Sequence, residues 1–141
     1  MDLSRRDLSL LLPAAAAASA AGQKTALPSR TYRYEDLPVR VNGENRQRAI
    51  LNGQTHTGYP VEMHETELGP GLAPHPPHHH AHIEMLLVRE GTLEVTISGR
   101  AVTLGPGSVA YVASNEEHGW RNVGTTRARY FVLALGRENP A

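Results

Sequence analysis

Between residues 69 and 107 the chain is cut four times by turn-forming combinations: Gly69-Pro70-Gly71, Glu90-Gly91, Ser98-Gly99 and Gly105-Pro106-Gly107. Glycine accepts positive φ and proline fixes a bend, so no long helix runs through such punctuation. What lies between and around these breaks is a series of short apolar or alternating runs. They predict strands over 61–68, 83–88, 92–97, 101–104, 108–113 and 129–135. Several short strands at this spacing demand an all-β sandwich or barrel. No internal repeat is visible, which removes propellers and solenoids.

The 141 residues leave room for one domain with its own core. Lys plus Arg total 14, as do Asp plus Glu, so no long-range field favours polyanions, and nucleic acid is not an expected partner. The chain starts with a segment that reads as an address. Ser4-Arg5-Arg6-Asp7-Leu8 precedes Leu10 to Leu12 and the alanines from Ala14 to Ala18, an arrangement that resembles a twin-arginine export signal. The apolar run is too short for a stable membrane span. Ala18-Ser19-Ala20 supplies small residues for cleavage near Ala20 or Ala21. The expected organisation is a leader over 1–21, an N-terminal arm over 22–50 with short strands, and the β domain over 51–137. The mature protein is expected to be periplasmic or secreted, exported already folded.

With no cysteine in the chain, disulfides and thiolate ligands are excluded, and any metal site must use nitrogen and oxygen. Eight histidines are present, and five crowd into His75-Pro76-Pro77-His78-His79-His80-Ala81-His82-Ile83-Glu84. If this stretch were a strand, His78, His80, His82 and Glu84 would share one face and His79 the other. Imidazole and carboxylate suit Fe, Mn, Ni, Cu or Zn. On a straight strand, however, Glu84 would stand roughly 13 Å from His80, so the backbone between them must bend to bring both to one ion.

His78-x-His80-x-x-x-Glu84, followed after six residues by Gly91, resembles the first sequence motif of the cupin superfamily. A second half follows in the right order: Gly107, then Ala113-Ser114-Asn115, His118 and Asn122 resemble the second motif. The resemblance spans roughly 54–135. It departs from the common pattern where Ala113 and Asn115 replace Pro and Gly, and where Gly71 stands one residue further from the first histidine. Asn tolerates the left-handed conformation better than most residues, so Asn115 is a physically reasonable substitute for glycine.

The resemblance implies the cupin double-stranded β-helix, an all-β jelly-roll barrel with its site inside. It also implies one divalent metal ion per chain, held by His78, His80, Glu84 and His118, with His82 outside the ligand set. Fe or Mn is the expected ion because Glu84 reduces the net charge of the site. Four protein ligands around a six-coordinate ion leave two adjacent positions, which suits a catalytic site. Sites of this kind in the family imply dioxygenase, isomerase or lyase chemistry on a small oxygen-bearing molecule. The alternative is a cupin module that binds a metal or small ligand without turnover. A polar N-terminal arm in such proteins implies a homodimer. His64, with Glu62 and Thr66 on the same strand face, is the one candidate catalytic group. Tyr111, Trp120, Arg121 and Tyr130 are candidate pocket residues, since aromatics and arginine often contact ligands. Ser114 lies near His118, but no acid partner is placed by sequence and the resemblance assigns His118 to the metal, so nucleophilic catalysis through Ser114 is rejected.

Overall fold

The computed structural model describes residues 25–137; the expected leader over 1–21 lies outside them. After a single 3-10 turn at Tyr34–Asp36 come nine strands: β1 (Val39–Asn42), β2 (Asn45–Gln54), β3 (Pro60–Leu68), β4 (Ile83–Glu90), β5 (Leu93–Ile97), β6 (Arg100–Leu104), β7 (Val109–Val112), β8 (His118–Asn122) and β9 (Ala128–Leu135). Every pairing is antiparallel. One sheet has the order β1-β2-β3-β9-β4-β7 and the other β6-β5-β8. The all-β architecture expected from the turn spacing is the one found, arranged as the jelly roll that the family resemblance implies. No helix among the described residues is long and apolar enough to cross a membrane.

The six predicted strands are present with ends shifted by one or two residues, and three more are added. β2 is a ten-residue strand through Asn45-Arg46-Gln47-Arg48, a stretch whose polarity hides it as an arm. It pairs along its length with β3, so much of the segment expected as an arm lies in the sheet. β8 carries Gly119, Arg121 and Asn122 in place of β-branched residues, so it has no strand signature in sequence. It forms because β5 pairs with all five of its residues.

Alternation along the strands sorts the side chains. On β3 the inner face reads Glu62, His64, Thr66, Leu68; on β4 Glu84, Leu86, Val88; on β9 Ala134, Val132, Tyr130, Ala128. Cross-strand register sets these residues side by side. Each strand therefore runs from a polar or small end to an apolar end. The apolar end packs Leu68, Leu86, Val88, Leu93, Val95, Trp120, Tyr130 and Val132 into the core. Each large aliphatic residue there contributes roughly 1.5–3 kcal/mol of burial free energy. The polar end is where the site lies.

Two turns carry the geometry. Gly91 joins β4 to β5 at φ 80°, and a Cβ there would stand 2.7 Å from Ala128 Cα. Both conformation and space therefore require glycine. Asn122, fully buried, donates from Nδ2 to Leu68 O (3.1 Å) and Thr126 O (2.7 Å), while its Oδ1 accepts from Gly124 N–H (2.9 Å). That amide ties the end of β8 to the end of β3.

Candidate metal centre

The stretch His78 to His82 is a loop leading into β4 rather than a strand. The strand-parity reading of it is therefore corrected: the residues converge because the loop folds back. His78 N–H donates to His118 O (3.0 Å) and His118 N–H to His78 O (2.9 Å), an antiparallel bridge that attaches the loop to the start of β8. Asn115 N–H donates to His80 O (2.8 Å), with Asn115 itself at φ 60°. That is the left-handed turn for which asparagine is the apt substitute.

The bent loop brings His80 Nε2 to 3.3 Å from Glu84 Oε1, and His118 Nε2 lies 3.4 Å from Glu84 Oε2. The His78 ring is 4.8 Å from that of His118 and 5.1 Å from that of His80, centroid to centroid. The ligand atoms of His78, His80 and His118 all lie within 4.8 Å of one another. Donors around an ion at 2.0–2.2 Å are separated by about 3 Å when adjacent, so a small contraction brings these atoms to coordination distance.

The hydrogen bonds around the rings decide which nitrogen faces inward. His118 Nδ1–H donates to Glu116 O (2.8 Å) and His80 Nδ1–H to His82 O (2.9 Å). His78 Nδ1 faces Pro76 O at 3.4 Å. A backbone carbonyl accepts only from a protonated nitrogen, so on His80 and His118 Nε2 carries the lone pair, and it points into the cluster. His80 Nε2, Glu84 Oε2 and His118 Nε2 are buried without a hydrogen-bond partner. Two aimed lone pairs and a carboxylate oxygen left this way cost stability unless a cation satisfies them, so the donor set fits a metal ion. Burial, and next the neighbouring His75 imidazole, hold His78 below the ordinary histidine range, which keeps it neutral.

His82, which the family resemblance leaves outside the ligand set, stands in the cluster. Its ring stacks on that of His80 (centroids 3.5 Å, 11° between planes), and its Nε2 is 3.5 Å from Glu84 Oε1. With His80 and Glu84 it makes a second trio of potential ligand atoms within 4.8 Å of one another. Only the spacing of two between histidines pointed to it in the sequence.

The other expected residues take different places. Trp120 is buried, stacks on the His118 ring (5.6 Å, 27°) and donates from Nε1 to Tyr130 Oη (2.8 Å). The pair supports His118 from the core side. Burial pushes the Tyr130 phenol far above its ordinary value. Tyr111 is 57% exposed on β7. Arg121, on the exposed side of β8, is ion-paired to Glu94 (3.0 Å). His64 lies on the inner face of β3, its Nδ1–H shared between Glu62 Oε1 (2.9 Å) and Oε2 (3.1 Å). Beside the cluster a cavity of about 440 Å³ opens, with Glu84 and His82 on one wall and Glu62 on the other. None of the four candidate pocket residues lines it.

Two facing antiparallel sheets with a histidine–carboxylate cluster at the polar end of the barrel define a cupin. The sequence profile of the cupin domain family matches residues 64–134, just over half of the 141, and the chain belongs to that family. Solved structures share the fold. An RmlC-like cupin from Shewanella frigidimarina is 18% identical, with 82% of this chain and 95% of that one covered, at a TM-score of 0.64. The polyketide cyclase RemF from Streptomyces resistomycificus is 21% identical over 81% of this chain and 83% of its own, at 0.62. A predicted oxalate decarboxylase from Thermotoga maritima is 16% identical over 77% of this chain and all of its own, at 0.63. No curated protein sequence matches this chain.

Proposed function

We propose that this protein is a mononuclear metal-dependent cupin enzyme acting on a small oxygen-bearing molecule, by chemistry of the dioxygenase, isomerase or lyase kind. His78, His80, Glu84 and His118 hold the ion. The observation that carries this reading is the set of buried lone pairs on His80 Nε2, Glu84 Oε2 and His118 Nε2, aimed at one another with no hydrogen-bond partner. A bound divalent ion supplies a Lewis acid that polarises a substrate oxygen, or a redox centre if it is Fe or Mn. The chain's own groups do the rest. Carbonyls of residues 116 and 82 fix the ring orientations of His118 and His80, Trp120 backs His118, and the adjoining cavity admits a small molecule to the Glu84 side.

Enzymatic activity is the finer part of the proposal. Neighbours described as a polyketide cyclase and a predicted oxalate decarboxylase are compatible with it. The test is turnover of a panel of phenolic, keto-acid and sugar substrates by chelator-stripped protein and by the same protein reloaded with Fe or Mn. Turnover that returns only on reloading supports the enzyme; metal binding with no turnover across the panel assigns a binding module instead. Export through the twin-arginine route and a homodimeric mature protein belong to the same proposal. Arg5-Arg6 and the alanine-rich run support the first, and exposed Val39 and Val41 on the edge strand β1 support the second. Cell fractionation of an Arg5→Lys, Arg6→Lys variant and sedimentation of the mature protein test them separately.

A further inference from the structure

The cavity beside the cluster is built from one row of the six-stranded sheet. Asn52 on β2 stands opposite Glu62 on β3, Glu62 opposite Ala134 on β9, and Ala134 opposite Glu84 on β4. Strands lie about 4.8 Å apart, so the Glu62 and Glu84 backbones are separated by about 10 Å with only the Ala134 methyl between them. The volume, about 440 Å³, is that of a small-molecule pocket.

The far wall comes from the end of β9. Gly136 turns the chain at φ 118°, a conformation that side-chain-bearing residues rarely adopt. Its N–H donates to Pro60 O (3.1 Å). The turn sets Arg137 on the cavity wall, where it makes no ion pair with any described residue. Across the cavity, Glu62 is steadied by His64 Nδ1–H, which leaves its remaining lone pairs able to accept a hydroxyl proton. One guanidinium with no ion pair to any described residue, one amide and one carboxylate acceptor thus face a single volume that ends at Glu84.

Resting on the metal-centre reading for one contact only, we propose that this cavity takes a small hydroxy-carboxylate. Its carboxylate is held by Arg137 and the Asn52 amide, its hydroxyl donates to Glu62, and its remaining face turns to Glu84 and the histidines. A guanidinium pairs two nitrogens with a carboxylate's two oxygens, which a neutral polyol cannot reciprocate. A phosphate dianion meets Glu62 and Glu84 at close quarters and is disfavoured by both.

Calorimetric titration of the metal-loaded mature protein with lactate, propionate and propane-1,2-diol separates the contributions, because the three share one carbon skeleton. Lactate binds tightest, and propionate and the diol are each weaker by roughly tenfold or more. Arg137→Gln brings lactate down to the level of the diol, and Glu62→Ala brings it to that of propionate. Both positions line a cavity rather than the core, and a melting curve for each variant checks the fold. The proposal is overturned if none of the three probes binds, if the diol equals lactate, or if Arg137→Gln binds lactate as the wild type does. Metal content measured on the same samples keeps the two readings apart. Arg137-dependent lactate binding in protein that takes up no metal sinks the metal centre alone. Full metal with Arg137-independent binding sinks the hydroxy-carboxylate alone.

Discussion

Glu84 and Glu67 are both carboxylates withdrawn from water, and their surroundings are opposite. Glu67, on the outer face of β3, is 1% exposed beside Glu65 at 0%. Arg48 donates to both, at 3.1 Å to Glu65 and closely to Glu67, and Tyr34 Oη–H donates to Glu67 Oε1 (3.1 Å). Arg89 reaches Glu65 at 3.3 Å, and the second oxygen of Glu67 has Arg129 at 3.7 Å and Arg46 at 4.0 Å. The Arg48 guanidinium also lies over the Tyr34 ring, 4.4 Å from its centroid. Every negative charge here faces a positive one from the same chain. Around Glu84 the neighbours are imidazoles whose Nδ1 protons are committed to carbonyls, so no proton is directed at its Oε2. Glu67 Oε2 and Arg129 Nε also lack a hydrogen-bond partner, but they lie 3.7 Å from each other as opposite charges. The lone pairs around Glu84 converge with no Lys or Arg among the described residues paired to them, an arrangement suited to a bound ion.

The largest expected effect is on the charge-paired side. Arg48→Ala leaves Glu65 and Glu67 buried with weakened compensation and costs about 3–5 kcal/mol of stability in urea melts. The metal content of the folded fraction stays unchanged. A variant that loses metal and stability together would erase the distinction between the clusters. The converse variant, His118→Ala, lowers metal affinity by on the order of a hundredfold or more, beyond the 10–100-fold typical of a residue that only orients a ligand. Without metal it melts close to the metal-free wild type, because an unsatisfied buried nitrogen is removed along with the ring's packing on Trp120.

The two clusters also separate by pH. Burial alone would raise the Glu67 carboxyl, but the hydrogen bonds from Arg48 and Tyr34 and the charges of Arg129 and Arg48 outweigh it and hold the group below its ordinary 4.5. The unfolded chain therefore takes up this proton first as pH falls. The contribution of Glu67 is complete above about pH 4.5 and drains away below it. Glu67→Gln lowers stability at neutral pH and flattens its decline below 4.5. Metal release follows a different titration, the protonation of the ligating imidazoles, and burial holds that of His78 below the ordinary histidine range. If acid melts and metal release coincide, the clusters are one cooperative unit. The smallest effect is Tyr34→Phe, which removes one donor to a charged oxygen and costs about 1–2 kcal/mol with no change in metal affinity.

The fold was legible where turn residues bound apolar runs, as at Gly91 and Gly107. It was illegible where a strand is polar for a reason outside itself. β2 carries Arg46 and Arg48 because they face Glu67 and Glu65 on β3, and a pattern of alternating apolar residues cannot register a strand paired by charge. β8 is written in glycine and site residues, with Gly119 close under Pro77, where a Cβ would stand 3.2 Å from Pro77 Cα. Of the four residues carried over from the family resemblance, His78, His80 and His118 make one trio of potential ligand atoms, and Glu84 makes another with His80 and His82. The place of His82 depends on a loop bend that spacing does not encode. Arg137 escaped notice because only the register of β9 and the turn at Gly136 set it beside Glu62 and Glu84.

The most direct test of the central claim, that the unsatisfied cluster is a metal centre, is metal content per chain by mass spectrometry. The mature protein is purified without nickel resin and compared with His80→Ala and Arg48→Ala. About one equivalent of Fe or Mn in the wild type and in folded Arg48→Ala, and little in His80→Ala, is the predicted result. Equal metal in the wild type and His80→Ala, or none in either after incubation with divalent ions, would contradict it.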